Sequence, residues 1–236
     1  MTFEEFKKRV MVTVEDLSRD FYRENRALFK VKKEDVAVKN LTSIVATTLN
    51  LSFKKGFDAM SLRDLSRESG LSMGALYSYF TSKEDLLGMI QSQGQVAVEK
   101  ILREHIDTRN DPASKLRTAI RVHLYLSELM KSWFYFFFME TKNLNQKYRR
   151  KSITSELMTE RFITDILKEG VKLKVFAVDN IQLTGSVIKA MMQDWYLKQW
   201  KYAQRNISVE EYAQFVIDVI ESFVIDMTHR KTRLSP

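Results

Sequence analysis

Cysteine is absent from this chain of 236 residues, which excludes disulfides, thiol nucleophiles and thiolate metal sites. Proline occurs only twice and glycine seven times. With long periodic segments between them, that scarcity argues for an almost wholly helical protein. The three histidines, His105, His123 and His229, stand apart, as expected of structural or solvated side chains. Asp226 and His229 have helical ligand spacing, but no second pair exists to complete a metal centre. No HExxH, GxSxG or glycine-rich phosphate loop is present, so neither an enzyme nor a resident cofactor is expected. The longest aromatic run, Trp133 to Met139, falls far short of the roughly 20 apolar residues that cross a bilayer. The opening MTFEEFKKRV lacks the apolar core of a signal peptide, and a cytoplasmic protein is expected.

What the chain has is a basic surplus, +8 overall, which permits nucleic-acid binding without proving it. Between Val38 and Leu87, Lys39, Lys54, Lys55, Arg63, Arg67 and Lys83 are nearly balanced by Asp58, Asp64, Glu68, Glu84 and Asp85. More of the surplus lies in Lys147–Lys151 and in the tail His229–Arg233.

The informative stretch is SLRDLSRESGLSMGALYSYFTSKEDLL, residues 61–87. Ser61 is a good N-cap, with Asp64 three places on. Leu62 and Leu65 give the short helix an apolar stripe. Gly70 can take the left-handed conformation that stops it. Ser72 caps a second helix, Met73 to Tyr79, and Thr81 with Glu84 forms a capping box for a third. Two helices meeting through a glycine-containing turn form a helix-turn-helix, whose second helix can enter the major groove of DNA.

Residues 56–87, and above all Gly74–Phe80 followed by Ser82-Lys83-Glu84 and Leu86-Leu87, resemble the N-terminal DNA-binding domain of the TetR family of bacterial transcriptional regulators. The likeness extends back through Ile44–Gly56. Thr47-Thr48, Ser52, Ser66 and Ser69 depart from the family's usual Ala, Ala, Phe, Ala and Ala. The resemblance implies an all-α protein with an N-terminal three-helix helix-turn-helix domain and a larger C-terminal bundle for ligand binding and dimerisation. It also implies a regulator, typically a repressor, acting as a homodimer on a palindromic operator in double-stranded DNA. Phosphate contacts are assigned by the resemblance to Tyr77, Tyr79 and Lys83. On the residues themselves, Ser72, Met73, Gly74 and Ala75 open the second helix, where small side chains let the backbone approach base edges. Met73 and Ala75 could touch thymine methyls. The helix N-termini at Ser61 and Ser82 offer anion sites. Leu76 and Phe80 should be core.

Three segments follow: an extra N-terminal amphipathic helix (1–34), the helix-turn-helix domain (35–87) and the bundle (88–236). In the first, Phe3, Phe6, Val10, Leu17, Phe21 and Leu28 line one stripe. That helix should dock on the body or a partner subunit. A membrane-surface helix is the alternative, although its mixed charges suit that role poorly. The protein would then be a membrane-associated helical adaptor, the other alternative being a ligand-binding protein without a specific DNA target. Asp35 is expected to cap the helix that ends at Gly56. Asp111-Pro112 and Ser208 with Glu211 mark later helix starts, and Asp179-Asn180 opens a long helix to about Gln204. WFYFFFME is aromatic all round, so that helix should be buried on most sides.

Met130, Trp133, Phe134, Phe137, Phe138, Met191, Met192 and Trp195 are candidates to line a pocket for a small hydrophobic effector. Ordinary core is the competing role. Residues 194–223 resemble the C-terminal part of TetR-type regulators linked to fatty-acid metabolism, which points to an acyl ligand beside planar aromatic or cationic alternatives. Val187, Phe215, Val219 and Phe223, with Met191, could build a four-helix dimer interface, the mode the family suggests.

Overall fold

The computed structural model describes residues 1–10, 12–140 and 146–225. The basic tail and the Asp226/His229 pair lie outside them, as do the side chains of Lys147, Tyr148, Arg149 and Lys151. The described residues form α1 (Phe3–Arg9), α2 (Val14–Glu24), a 3₁₀ turn (Arg26–Leu28), α3 (Glu34–Lys55), α4 (Leu62–Ser69), α5 (Met73–Leu76), α6 (Lys83–Ile106), α7 (Pro112–Leu129), α8 (Lys131–Glu140), α9 (Gln146–Lys172), α10 (Ile181–Leu197), α11 (Gln199–Gln204) and α12 (Val209–Ile225). No strand occurs among them, in keeping with the all-α expectation. No helix of the described residues is long and apolar enough to cross a membrane.

The helices pack as two compact units, divided differently from the three expected segments. A helix-turn-helix unit comprises the described residues of Lys8–Ala97 and Met130–Thr154; a bundle unit comprises Met1–Lys7, Val98–Leu129 and the described residues from Ser155 on. In the first, α3 is the spine against which α2, α4 and α8 pack. In the second, α7, α10 and α12 pack on one another.

The N-terminal stretch is two helices rather than one. Thr13 and Asp16 form a reciprocal capping box at 3.1 Å in each direction, which starts a new helix inside the apolar stripe. Phe6, on α1, is fully buried in the bundle unit, 5.6 Å from the His105 ring and 5.5 Å from Tyr125. Leu17 and Tyr22, on α2, are buried in the helix-turn-helix unit, whereas Leu28 leaves the stripe and is exposed.

Three other boundaries move. Lys33, not Asp35, occupies the cap of α3, leaving Glu34 and Asp35 in the first turn where the helix dipole favours acids. Ser82, not Thr81, caps α6, accepting from the Asp85 amide at 3.1 Å, while the Thr81 amide donates to the Asp85 carboxylate. The long helix from Asn180 breaks at Lys198, where the Asp194 carboxylate gathers Lys198, Lys201 and Tyr202. The predicted starts at Asp111-Pro112 and at Ser208 with Glu211 form as expected.

Candidate nucleic-acid interface

The helix-turn-helix, the candidate reading head, is assembled by local hydrogen bonds. The Asp64 amide donates to Ser61 Oγ at 3.1 Å and the Ser61 amide returns the bond to Asp64 Oδ2 at 3.0 Å. Lys55, at the end of α3, donates to the same carboxylate at 2.7 Å. That bond, with those from Ser61, holds the Asp64 carboxyl well below the usual carboxylate range. Leu65 drops into the core. Gly70 then turns the chain at φ +70°, in the left-handed region that favours glycine. Ser72 Oγ accepts from the Ala75 amide at 3.2 Å and starts α5.

The second helix is shorter than predicted. Regular α-helix ends at Leu76, and bonds from Ser78 to Ala75 and from Tyr79 to Leu76 wind the last residues into a tighter turn. Its faces are unequal. Leu76 and Phe80 are buried, as expected of core. Ser72, Gly74 and Tyr77 are exposed, with Met73 and Ala75 half-buried beside them. A Cβ placed on Gly74 would meet nothing within 4 Å. Within its own fold, then, the residue has no need to be glycine.

The two tyrosines differ in exposure. Tyr77 is exposed, whereas Tyr79 is buried, with its hydroxyl accepting from Asn40 Nδ2 at 3.0 Å and its ring centroid 5.9 Å from that of Phe29. Burial pushes its phenol up. Tyr77 thus presents its phenol to solvent, whereas the Tyr79 oxygen is held by Asn40 and keeps only its own O–H to donate. Lys83 is half-buried. Its ammonium donates to the Asp58 carbonyl at 2.9 Å and lies 4.8 Å from the centre of the Phe57 ring. Burial lowers its pKa, against the favourable charges of Asp58 and Glu140.

Phe29, Asn40 and Lys55 were not foreseen from sequence. The Tyr22 and Phe29 rings stack at 5.6 Å, so the segment before α3 is an extra wall for the reading head. Only the aromatic content of that segment hinted at this.

The eight pocket candidates are parted. Met130, Trp133, Phe134, Phe137 and Phe138 belong to the helix-turn-helix unit and Met191, Met192 and Trp195 to the bundle unit. Trp133 and Phe136 are buried but Phe138 is half exposed, so α8 is not enclosed all round. Trp133 Nε1 donates to the Ile90 carbonyl at 3.1 Å, and a Cβ on Gly94 would stand 2.9 Å from its ring. Trp195 donates to Glu128 and stacks on Tyr202 at 5.1 Å. Both tryptophans are thus fixed by the protein's own groups. Val187, Phe215, Val219 and Phe223 all lie on the outside of α10 and α12. Among the described residues no cluster of three or more His, Asp or Glu could hold a metal ion.

Comparison with known proteins finds matches to both the N-terminal and the C-terminal parts of the chain. The family described as bacterial regulatory proteins, tetR family, matches residues 44–90, and a tetracyclin repressor-like C-terminal domain matches residues 109–224. Over 106 residues the chain is 28% identical to the uncharacterized HTH-type transcriptional regulator YwcC of Bacillus subtilis (strain 168), covering 45% of each protein, less than half of that relative's length. It is 20% identical over 181 residues to the HTH-type transcriptional regulator HbdR of Aromatoleum sp. (strain CIB), covering 77% of this chain and 79% of that one. Its fold superposes on the TetR family transcriptional regulator PfmR from Thermus thermophilus with a TM-score of 0.69 at 27% identity, covering 76% of this chain and 97% of that one.

Proposed function

Because the chain belongs to the TetR family, whose members are DNA-binding transcriptional regulators, we propose that it is a homodimeric repressor of a pseudo-palindromic operator, released by a small, mostly apolar effector of the fatty-acyl class. The observation that carries the DNA-reading part is the exposed edge Ser72, Gly74 and Tyr77 on a helix backed by buried Leu76 and Phe80. A bare glycine with open space before it lets the backbone come close to base edges, and the exposed phenol can reach the sugar-phosphate chain. One such head reads only a few base pairs, so two related by a dyad are needed. The apolar stripe on α10 and α12 supports that pairing.

The fatty-acyl class rests on the resemblance of residues 194–223 and on the preference of apolar ligands for bundle interiors. Release follows from linkage: an effector that favours one arrangement of the two heads weakens DNA binding by its differential affinity. Helix α6, which starts in the helix-turn-helix unit and ends in the bundle unit, is the covalent route for that coupling. Selection of bound duplexes from a random library, with and without acyl compounds, tests the reading. A palindromic consensus, weakened by acyl compounds, is expected; recovery of unrelated sequences would refute operator recognition.

A further inference from the structure

We propose that Lys189, in the interior of the bundle unit, anchors the carboxylate of the effector, which makes that effector an apolar acid rather than a neutral lipid or thioester. The inference rests on the reading that an effector binds this bundle.

The placement of Lys189 starts with Gly185. A Cβ at that position would stand 2.5 Å from Thr164 Cγ2, so glycine brings α10 close against α9. Four residues on, the same face of α10 carries Lys189 inward, between the fully buried Ile188 and Met192 in sequence, until only 5% of it is exposed. An ammonium at the end of so enclosed a stem is costly unless closely paired and hydrogen-bonded. Here its nearest carboxylate oxygen, Glu156 Oε2, is 3.7 Å away, against roughly 2.7–2.9 Å for a charge-assisted hydrogen bond.

Glu156 is a shared and half-exposed partner, since it also accepts from Gln193. The other nearby carboxylate, Glu160, accepts from Ser186 Oγ at 3.0 Å. Across from α10, His123 on α7 is 1% exposed, and burial together with the Lys189 charge holds its imidazole neutral. What lysine adds is a cation with donor capacity left over, next to a counterion that can turn outward. An incoming carboxylate can take the place of Glu156 while its hydrocarbon part joins the apolar interior.

Titration calorimetry of the full chain with octanoate, palmitate and phenylacetate, each against its methyl ester, tests this, with operator affinity followed in parallel. At least one acid should bind tenfold or more tighter than its ester. Lys189→Met should abolish that preference, Lys189→Arg should retain it, and Glu156→Gln should tighten acid binding severalfold. Equal binding of acids and esters, a preference that survives Lys189→Met, or no binding by any acid would overturn the anchor. Should Lys189→Met fail to fold, the Glu156→Gln and Lys189→Arg results decide. Acid binding that leaves operator affinity unchanged would refute the effector reading but not the anchor. Operator release by esters and acids alike would do the reverse.

Discussion

Asn40 on α3 and Tyr79 after α5 are joined by a 3.0 Å hydrogen bond, which clamps the end of the reading helix to the spine of its unit. The phenol next to it in the exposed edge, Tyr77, has no such tie to α3. Tyr79→Phe should therefore cost about 1 kcal/mol of stability, read as a lowered urea midpoint. Tyr77→Phe should leave the midpoint within about 0.5 kcal/mol but weaken operator binding about tenfold, the effect of one hydrogen bond to a charged phosphate. A Tyr77→Phe variant with full operator affinity would remove that phenol from the DNA contacts.

The two glycines of the head should respond to alanine in opposite directions. Gly70 sits at φ +70°, so Gly70→Ala should destabilise by roughly 1–2 kcal/mol through left-handed strain. Gly74 faces open space inside α5, and Gly74→Ala should stabilise by about 0.5–1 kcal/mol from helix propensity. The same methyl would stand between backbone and base edges, so operator affinity should fall although the fold is firmer. Thermal melts and gel-shift titrations on one pair of variants check both halves.

This unit was legible because its signals are local. Ser61 with Asp64, Gly70 and Ser72 each act within four residues, so their spacing in the chain is their geometry in the fold. The Thr13/Asp16 box is the same kind of signal, yet the apolar stripe running through it favoured one continuous helix. The different environments of Tyr77 and Tyr79 were not legible, because Asn40 and Phe29 lie 39 and 50 positions from Tyr79. Lys189 was invisible for a similar reason. A lysine in a helical pattern becomes unusual only when α7, α9 and α10 close around it. The pocket candidates shared one composition, but the packing assigned them to two units.

Lys83 bears on affinity and on local structure together. Its ammonium is bonded to the Asp58 carbonyl at 2.9 Å and keeps donors free for a phosphate. Lys83→Ala should weaken binding to all sequences alike and reduce the salt slope by about one. An unchanged slope would leave Lys83 as a purely internal strut between α6 and the loop after α3.

Acid should loosen the start of α4. The bond from Lys55, with those from Ser61, depresses the Asp64 carboxyl in the folded chain. A group depressed on folding contributes its full stability above its unfolded pKa, about 3.9 for aspartate, and loses it as pH falls toward the folded value. Urea midpoints should be insensitive to this group at neutral pH and drop below about pH 4. Asp64→Asn should be less stable at pH 7 and show a shallower decline in acid. A parallel decline in both proteins would place the acid response in other carboxylates.

Phe215, Val219 and Phe223 recur every fourth residue along α12 and are exposed, as are Leu183 and Val187 along α10. The two helices pack against each other, so a solvated apolar stripe of this kind marks an interaction surface rather than core. Phe215 is 63% exposed, and an aspartate there would meet solvent in a monomer but desolvated apolar surface in a dimer. Phe215→Asp should keep the helical circular dichroism and the melt of the individual chain while sedimentation equilibrium shifts from dimer to monomer at micromolar concentration. Operator affinity should collapse with it, because a single head keeps only half of a two-site contact. A variant that still sediments as a dimer would move the interface away from α10 and α12, whereas a monomer that binds the full operator unchanged would show that pairing is not what holds two heads on DNA.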